Sequence, residues 1–234
     1  MLTVDFDTLN LQEGHYILDA GCGGGRHSFE CISRGAHVWS MDMDMESVRR
    51  ARYTLAYMKE KGQAHKNGRY LVQLGDALRL PFKDNSFDRI ICAEVMEHVD
   101  DDYQACGELA RVVKPGGVVA ITVPTFITEM AYDVLTYEYF TSPGGHVRKY
   151  IPRKLASIMD SNGLDVYAVD FKHSFHTIYW IIRSVVGLHL NKHPVSKGYH
   201  SFLVKTMDSR LMEKVENFFD NFFPKSIILY AVKR

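Results

Sequence analysis

The residues from Tyr16 to His27, Tyr16-Ile17-Leu18-Asp19-Ala20-Gly21-Cys22-Gly23-Gly24-Gly25-Arg26-His27, restrict the fold more than any other stretch of the chain. An apolar run ends in an acid, breaks into glycines and passes at once into a helical pattern. That order reads as a buried strand, a tight turn and a helix N-terminus. Glycine lets a ligand lie against main-chain atoms because it has no side chain. The free N–H groups of the starting helix attract a negative group. Dinucleotide sites use the same device with G-x-G-x-x-G. Gly21 and Gly23 fit that pattern, but Arg26 stands where its third glycine belongs, which counts against a nicotinamide-dependent oxidoreductase on a similar fold. Asp19, two residues before the first glycine, is the more distinctive residue.

Strand and helix patterns go on alternating. Residues 36–42 read as a second strand ending in Asp42, 21 positions after Gly21. An acid at that spacing is placed to accept hydrogen bonds from ribose hydroxyls. Its neighbour Asp44 is assigned instead to capping a helix over 45–60, whose core positions are Val48, Leu55 and Met58. A third strand, Arg69 to Leu74, runs into Gly75-Asp76-Ala77, and a fourth, Arg89 to Ala93, runs into Glu94-Val95-Met96-Glu97-His98. Ligands of open parallel sheets sit at the carboxyl ends of the strands. Glu94 and His98 therefore join the candidate site. A helix over 101–113 is expected to stop at the turn Lys114-Pro115-Gly116-Gly117, before a fifth strand from Val118 to Pro124. Pro152 opens a helix with Leu155, Ile158 and Met159 inward, and strands over 165–171 and 226–233 complete the series.

Four of these elements come in a fixed order: Asp-x-Gly-x-Gly at 19–23, the acid Asp42, Gly75-Asp76-Ala77, and the Lys-Pro-Gly-Gly turn. Together they resemble the class I S-adenosylmethionine-dependent methyltransferases over residues 14–124. The run Gly145-His146-Val147-Arg148-Lys149-Tyr150 is similar to small-molecule members, quinone-pathway ones included. The resemblance implies an α/β, Rossmann-like fold: a seven-stranded, mostly parallel sheet with helices on both faces. It implies S-adenosyl-L-methionine as cofactor. Asp19 and Glu94 then belong to its amino-acid end, Asp42 to the ribose, and Asp76 and Ala77 to the adenine, with Gly21, Gly23 and Met43 completing the cofactor-binding set. Methyl transfer from a sulfonium is an in-line displacement that needs near-attack geometry and exclusion of water. A base is needed only where the nucleophile is neutral. His98 and His146 are the candidates for that base, with Tyr139 as a positioning residue.

The family expects a short link between the last two strands, yet more than fifty residues intervene here, too many for a structureless loop. The 234 residues are therefore read as one methyltransferase domain carrying a lid over 125–150 and a helical insertion over 173–225. Within the insertion, helices are expected from Thr177 to Leu190 and from Ser201 to Phe223. The first is apolar almost all round and must be covered. Three placements are open: over the active site, in a homodimer contact, or on a membrane surface beside a lipophilic substrate.

Charge narrows the partners. With 28 basic and 28 acidic residues and no basic stripe, the chain lacks the footprint of a nucleic-acid binder. Pro124 is followed by Thr125, not by the second proline of the DNA amino-methyltransferase tetrapeptide. A small-molecule acceptor, aromatic or lipophilic to match the 125–150 segment and the insertion, is expected. The scattered Cys22, Cys31, Cys92 and Cys106 suit reduced thiols in the cytoplasm. No signal peptide and no transmembrane run is read. The pairs His173/His176 and His189/His193 lack an accompanying carboxylate, and no metal is expected. The alternative function is a non-catalytic adenosylmethionine-binding or assembly protein that uses the insertion as a partner surface.

Overall fold

The computed structural model describes residues 2–126, 129–130, 146–175, 177, 198, 201, 210–220 and 222–234. Seven strands form one sheet: β1 (Tyr16–Ala20), β2 (His37–Asp42), β3 (Arg69–Leu74), β4 (Phe87–Ala93), β5 (Val113–Pro124), β6 (Leu164–Lys172) and β7 (Ser226–Lys233). The helices described are α1 (Arg26–Ser33), α2 (Met45–Glu60), α3 (Asp102–Val112), α4 (Pro152–Ser161) and α5 (Arg210–Phe219). The strand order is β3-β2-β1-β4-β5-β7-β6. The pairings from β3 through β5 are all parallel. The chain steps outward from β1 through β2 to β3, returns to lay β4 against β1, and steps out the other way to β5. Parallel crossovers are right-handed, so this reversal puts α1 and α2 on one face and α3 on the other. The expected seven-stranded, mostly parallel sheet is the one observed.

Local sequence accounts for the elements. In β1 the residues Ile17, Leu18, Asp19 and Ala20 are all buried, the mark of a central parallel strand covered on both faces. Asp44 caps α2, accepting from Glu46 N and Ser47 N, as its position predicts. Val48 and Leu55 of α2 are buried, while Met58 is only partly so. Pro152 is the first residue of α4, where its missing N–H costs nothing.

Two boundaries differ from the sequence reading. The fourth strand starts at Phe87 rather than Arg89, and the fifth starts at Val113 rather than Val118. Lys114-Pro115-Gly116-Gly117 is thus not a turn between helix and strand. Phe87 pairs with Val113 and Arg89 with Val118, so the four residues bulge out of β5 opposite Asp88. The helix can end so abruptly because its last carbonyls have other partners. Asn85 N donates to Arg111 O, Ser86 N to Val112 O, and Lys233 Nζ to Val113 O.

The described chain falls into two compact units. The first comprises Met1–Val123, Pro152–Val169 and Ile228–Arg234 and contains the main core. The short amino-terminal lead-in belongs to that core: Val4, Phe6 and Leu9 pack with Ile17, Val38, Ile91, Ile228 and Tyr230. Asp5 N donates to the Tyr230 hydroxyl at 2.8 Å, and buried Arg89 on β4 donates to Leu9 O at 2.8 Å.

The second unit comprises Pro124–Ile151 and Asp170–Ile227. Within it Thr125 bridges to Tyr150, while its N and Oγ1 donate to Lys225 O and Pro224 O. Ser174 N donates to Asp220 Oδ1 at 2.7 Å. The expected helix over 201–223 ends at Phe219, four residues early, and Asp220 just beyond it accepts from Ser174 N through its side chain. The apolar segment 178–190 lies outside the described residues. No helix among the described residues is long and apolar enough to cross a membrane.

Tyr230→Phe tests the tie between lead-in and last strand. It removes one buried hydroxyl acceptor and should destabilise the chain by about 0.5–1.5 kcal/mol in urea denaturation. Faster hydrogen exchange at the Asp5 amide should accompany the loss.

Candidate functional site

The carboxyl ends of β3, β2, β1 and β4 lie side by side, and each contributes an acid. Asp42 is the last residue of β2, Asp19 the penultimate residue of β1, and Glu94 directly follows β4. Asp76 stands two residues beyond β3.

Asp19 is the most constrained of the four. It is 1% exposed, and its Oδ2 accepts from Ser28 N at 3.1 Å and from Ser28 Oγ at 2.5 Å. Ser28 Oγ also meets Ser40 Oγ of β2 at 2.7 Å. Gly25, at the N-cap of α1, has no side chain with which to cap. Asp19 supplies the missing acceptor from the neighbouring strand, on the positive end of the helix dipole. Its other oxygen, Oδ1, is buried and has no hydrogen-bond partner among the described residues. Burial pushes the carboxyl up to about 6, against the lowering effect of the Ser28 hydrogen bonds. An unpartnered buried carboxylate oxygen is costly unless a donor arrives. A ligand ammonium is such a donor.

The glycine turn wraps around the end of β2. Gly21 N and Cys22 N both donate to Met41 O, at 2.8 and 2.9 Å, and Gly23 N donates to Asp42 Oδ2 at 2.7 Å. Asp42 Oδ1 accepts from Asp44 N at 2.9 Å. Gly21 sits at φ +74°, and a Cβ there would stand 2.1 Å from Val95 Cγ2. No other residue fits that position. Gly23, at φ +51°, has open space where a side chain would be.

The remaining candidates are less enclosed. Asp76 is exposed and its Oδ1 accepts from Leu78 N at 2.9 Å, while Ala77 beside it is buried. Met43 is 77% exposed, a large apolar side chain left in solvent at the rim. Glu94 takes the left-handed conformation at φ +57° and accepts from Thr122 Oγ1 at 3.0 Å. A glutamate held there is strained, a condition that persists where surrounding structure enforces it. His98 is exposed just past a turn in which its N–H donates to Val95 O. His146 belongs to the second unit, where its Nδ1 lies 2.9 Å from Glu129 Oε2. Tyr139, His176, His189 and His193 lie outside the described residues. Hydrogen bonds thus join Gly23 to Asp42 directly and the end of β1 to β2 through Ser28 and Ser40. The four cysteines are free and buried, and burial raises each thiol's pKa, which keeps them from acting as thiolates at neutral pH.

Sequence reasoning missed Ser28, Ser40, Thr122 and Glu129. Ser28 and Thr122 meet their acids, and Ser40 meets Ser28, only through strand and helix packing, and no local motif marks them. Glu129 stands 17 positions before His146, with nothing in that spacing to announce a pair.

A family model described as "Methyltransferase domain" matches residues 18–121. The methyltransferase GfsG of Streptomyces halstedii is 35% identical over 117 residues, covering 50% of this chain and 40% of that one. The ubiquinone biosynthesis O-methyltransferase of Alkalilimnicola ehrlichii is 36% identical over 128 residues, covering 54% of this chain and 49% of its own. The chain therefore spans less than half the length of these two relatives. Among solved structures, a SAM-dependent methyltransferase from Methanosarcina mazei superposes with a TM-score of 0.65 at 18% identity, covering 99% of each chain, a likeness of fold.

Asp19 makes the stability of the chain depend on pH. Its carboxyl holds a proton up to about pH 6 when folded, against about 3.9 in an unfolded chain. Between those values the folded state binds the extra proton, so this group's contribution falls as pH rises from about 4 to about 6 and then levels. The full difference is about 3 kcal/mol. Urea midpoints for the Asp19→Asn variant, set against the unmodified chain at pH 4, 5 and 7, should lack that decline.

Proposed function

We propose that this chain, whose residues 18–121 match a methyltransferase-domain model, is a class I S-adenosylmethionine-dependent methyltransferase that transfers the methyl group of S-adenosylmethionine to a small aromatic or lipophilic acceptor by in-line displacement. The observation that carries the reading is Asp19: a buried carboxylate at the glycine turn, with one oxygen capping α1 and the other unpartnered among the described residues. When bound, the cofactor supplies an electrophilic methyl on a sulfonium. The chain supplies the rest. Asp19 Oδ1 is the acceptor for the ammonium of its amino-acid end. Gly23, with open space where a side chain would stand, leaves the main chain open to close approach, Gly21 lets Val95 pack against the turn, and Glu94 borders the same end. Asp42 takes the ribose hydroxyls, with Met43 at the rim, and Asp76 with Ala77 takes the adenine edge.

Two features support an apolar acceptor. The second unit exposes Phe126, Met130, Phe218, Phe219, Phe222 and Phe223, more apolar surface than a solvent-facing segment needs. A relative 36% identical over 54% of this chain is named for ubiquinone biosynthesis. The 124–151 segment and the 170–227 segment are then the acceptor-binding part of the protein. His98 and His146 are the groups able to take a proton from a hydroxyl nucleophile.

Calorimetry tests the cofactor half. S-adenosylmethionine and its demethylated product should both bind. Asp42→Ala should weaken binding by about 1–3 kcal/mol through the lost ribose contacts. The ammonium requires ionised Asp19, so affinity should rise with pH and level off above about 6, being about tenfold weaker at pH 5. Asp19→Asn should bind weakly with that rise abolished. Labelling a metabolite extract with tritiated methyl donor tests the other half: counts should enter an organic-soluble fraction. A chain that binds neither nucleoside, or labels only charged hydrophilic compounds, contradicts the corresponding half.

A further inference from the structure

We propose that Glu129 is the positioning residue for His146, fixing the imidazole so that its Nε2 accepts the proton of a hydroxyl acceptor. The inference rests on the methyl-transfer reading above and deepens it.

The geometry lies wholly within the second unit. Thr125 and Tyr150 form a parallel bridge, and Tyr150 is 1% exposed. Thr125 is held further by its bonds to Lys225 O and Pro224 O. Glu129 stands four residues after Thr125 and donates its N–H back to Thr125 O at 3.0 Å, a helical turn. His146 stands four residues before Tyr150. The bridge therefore clamps both ends of the segment and brings the two side chains together one step inside it. Glu129 Oε2 and His146 Nδ1 meet at 2.9 Å, with 1% and 8% of the respective side chains exposed. The other Glu129 oxygen is buried without a hydrogen-bond partner among the described residues. The carboxylate has been taken out of water for this one contact, which is costly unless the contact has a use.

An ionised carboxylate only accepts, so the proton between the pair sits on Nδ1. The basic lone pair of the neutral ring is then on Nε2. In the reaction the acceptor's O–H bond breaks and its proton passes to Nε2. The freed oxygen pair forms the bond to the methyl carbon as the carbon–sulfur bond breaks, its electrons returning to sulfur. His146 becomes an imidazolium beside the Glu129 carboxylate, which stabilises it, and later releases the proton to water.

The test uses the full chain. Nitrogen-15 spectra of labelled histidines, with His146 identified through His146→Gln, should show neutral His146 as the Nδ1–H tautomer. Tritiated S-adenosylmethionine with a panel of catechols then reads the transfer. Glu129→Gln should lower kcat at pH 7 about 10–100-fold with KM for the methyl donor unchanged. Glu129→Asp should recover part of the loss. The deficit should close near about pH 10, where a phenol ionises unaided, which a variant merely loosened in structure would not show. An Nε2–H tautomer in the unmodified chain overturns the inference, as does an active chain whose Glu129→Gln variant keeps full kcat. An unmodified chain that binds the methyl donor but methylates no hydroxyl overturns the hydroxyl reading of the acceptor and the base role with it.

Discussion

A single carboxylate, that of Asp19, joins the architecture of this chain to its chemistry. It is sealed from water at the end of the central strand β1, where an ion survives only by being well partnered. One oxygen is committed to Ser28 and, through it, to Ser40 of β2. This contact starts α1 in the absence of a side-chain cap at Gly25 and ties two strands and a helix to one point. The second oxygen remains for a ligand. Fold and binding thus draw on opposite sides of the same group. Its elevated proton affinity measures how incomplete the arrangement is without a cation.

The reversal of strand order beside β1 explains why the acids gather where they do. The strand order reverses between β1 and β4, the switch point at whose carboxyl ends open sheets bind their ligands, and there the two loops meet with Gly21 against Val95. The glycine turn is held to β2 by main-chain bonds to Met41 and by Asp42. On the far side Glu94 accepts a strained backbone to bring its side chain back onto Thr122 of β5. Both walls are therefore fixed by hydrogen bonds before any ligand enters, which spares a ligand much of the ordering cost of binding.

Most of the sheet was legible in the sequence, because buried parallel strands write continuous apolar runs and glycines interrupt them. Asp44 as a helix cap was legible for a similar reason: the signal is local. What escaped depends on contacts between distant segments. Proline and two glycines at 115–117 carry the signature of a turn, yet the chain keeps pairing around them as a bulge because Asp88 and Lys233 supply partners nearby. No local pattern in the lead-in announces that Val4, Phe6 and Leu9 pack into the core with Ile17 of β1. At the site, the acids closing each strand were visible, whereas the serines and threonine that orient them were not. His146 was found through its neighbours in sequence. Glu129 was not, because only the clamp between Thr125 and Tyr150 makes the two adjacent.

The bond from the Asp5 amide to the Tyr230 hydroxyl spans 225 positions and has a consequence for how the protein is made. Tyr230 and Ile228 fill the same interior as the first residues of the chain. During synthesis the early strands emerge long before the one that completes their packing. The nascent polypeptide must keep an unfinished, sticky interior shielded until β7 has left the ribosome. Closure is then a late event joining segments 225 positions apart, slow in the manner of folds dominated by distant pairings.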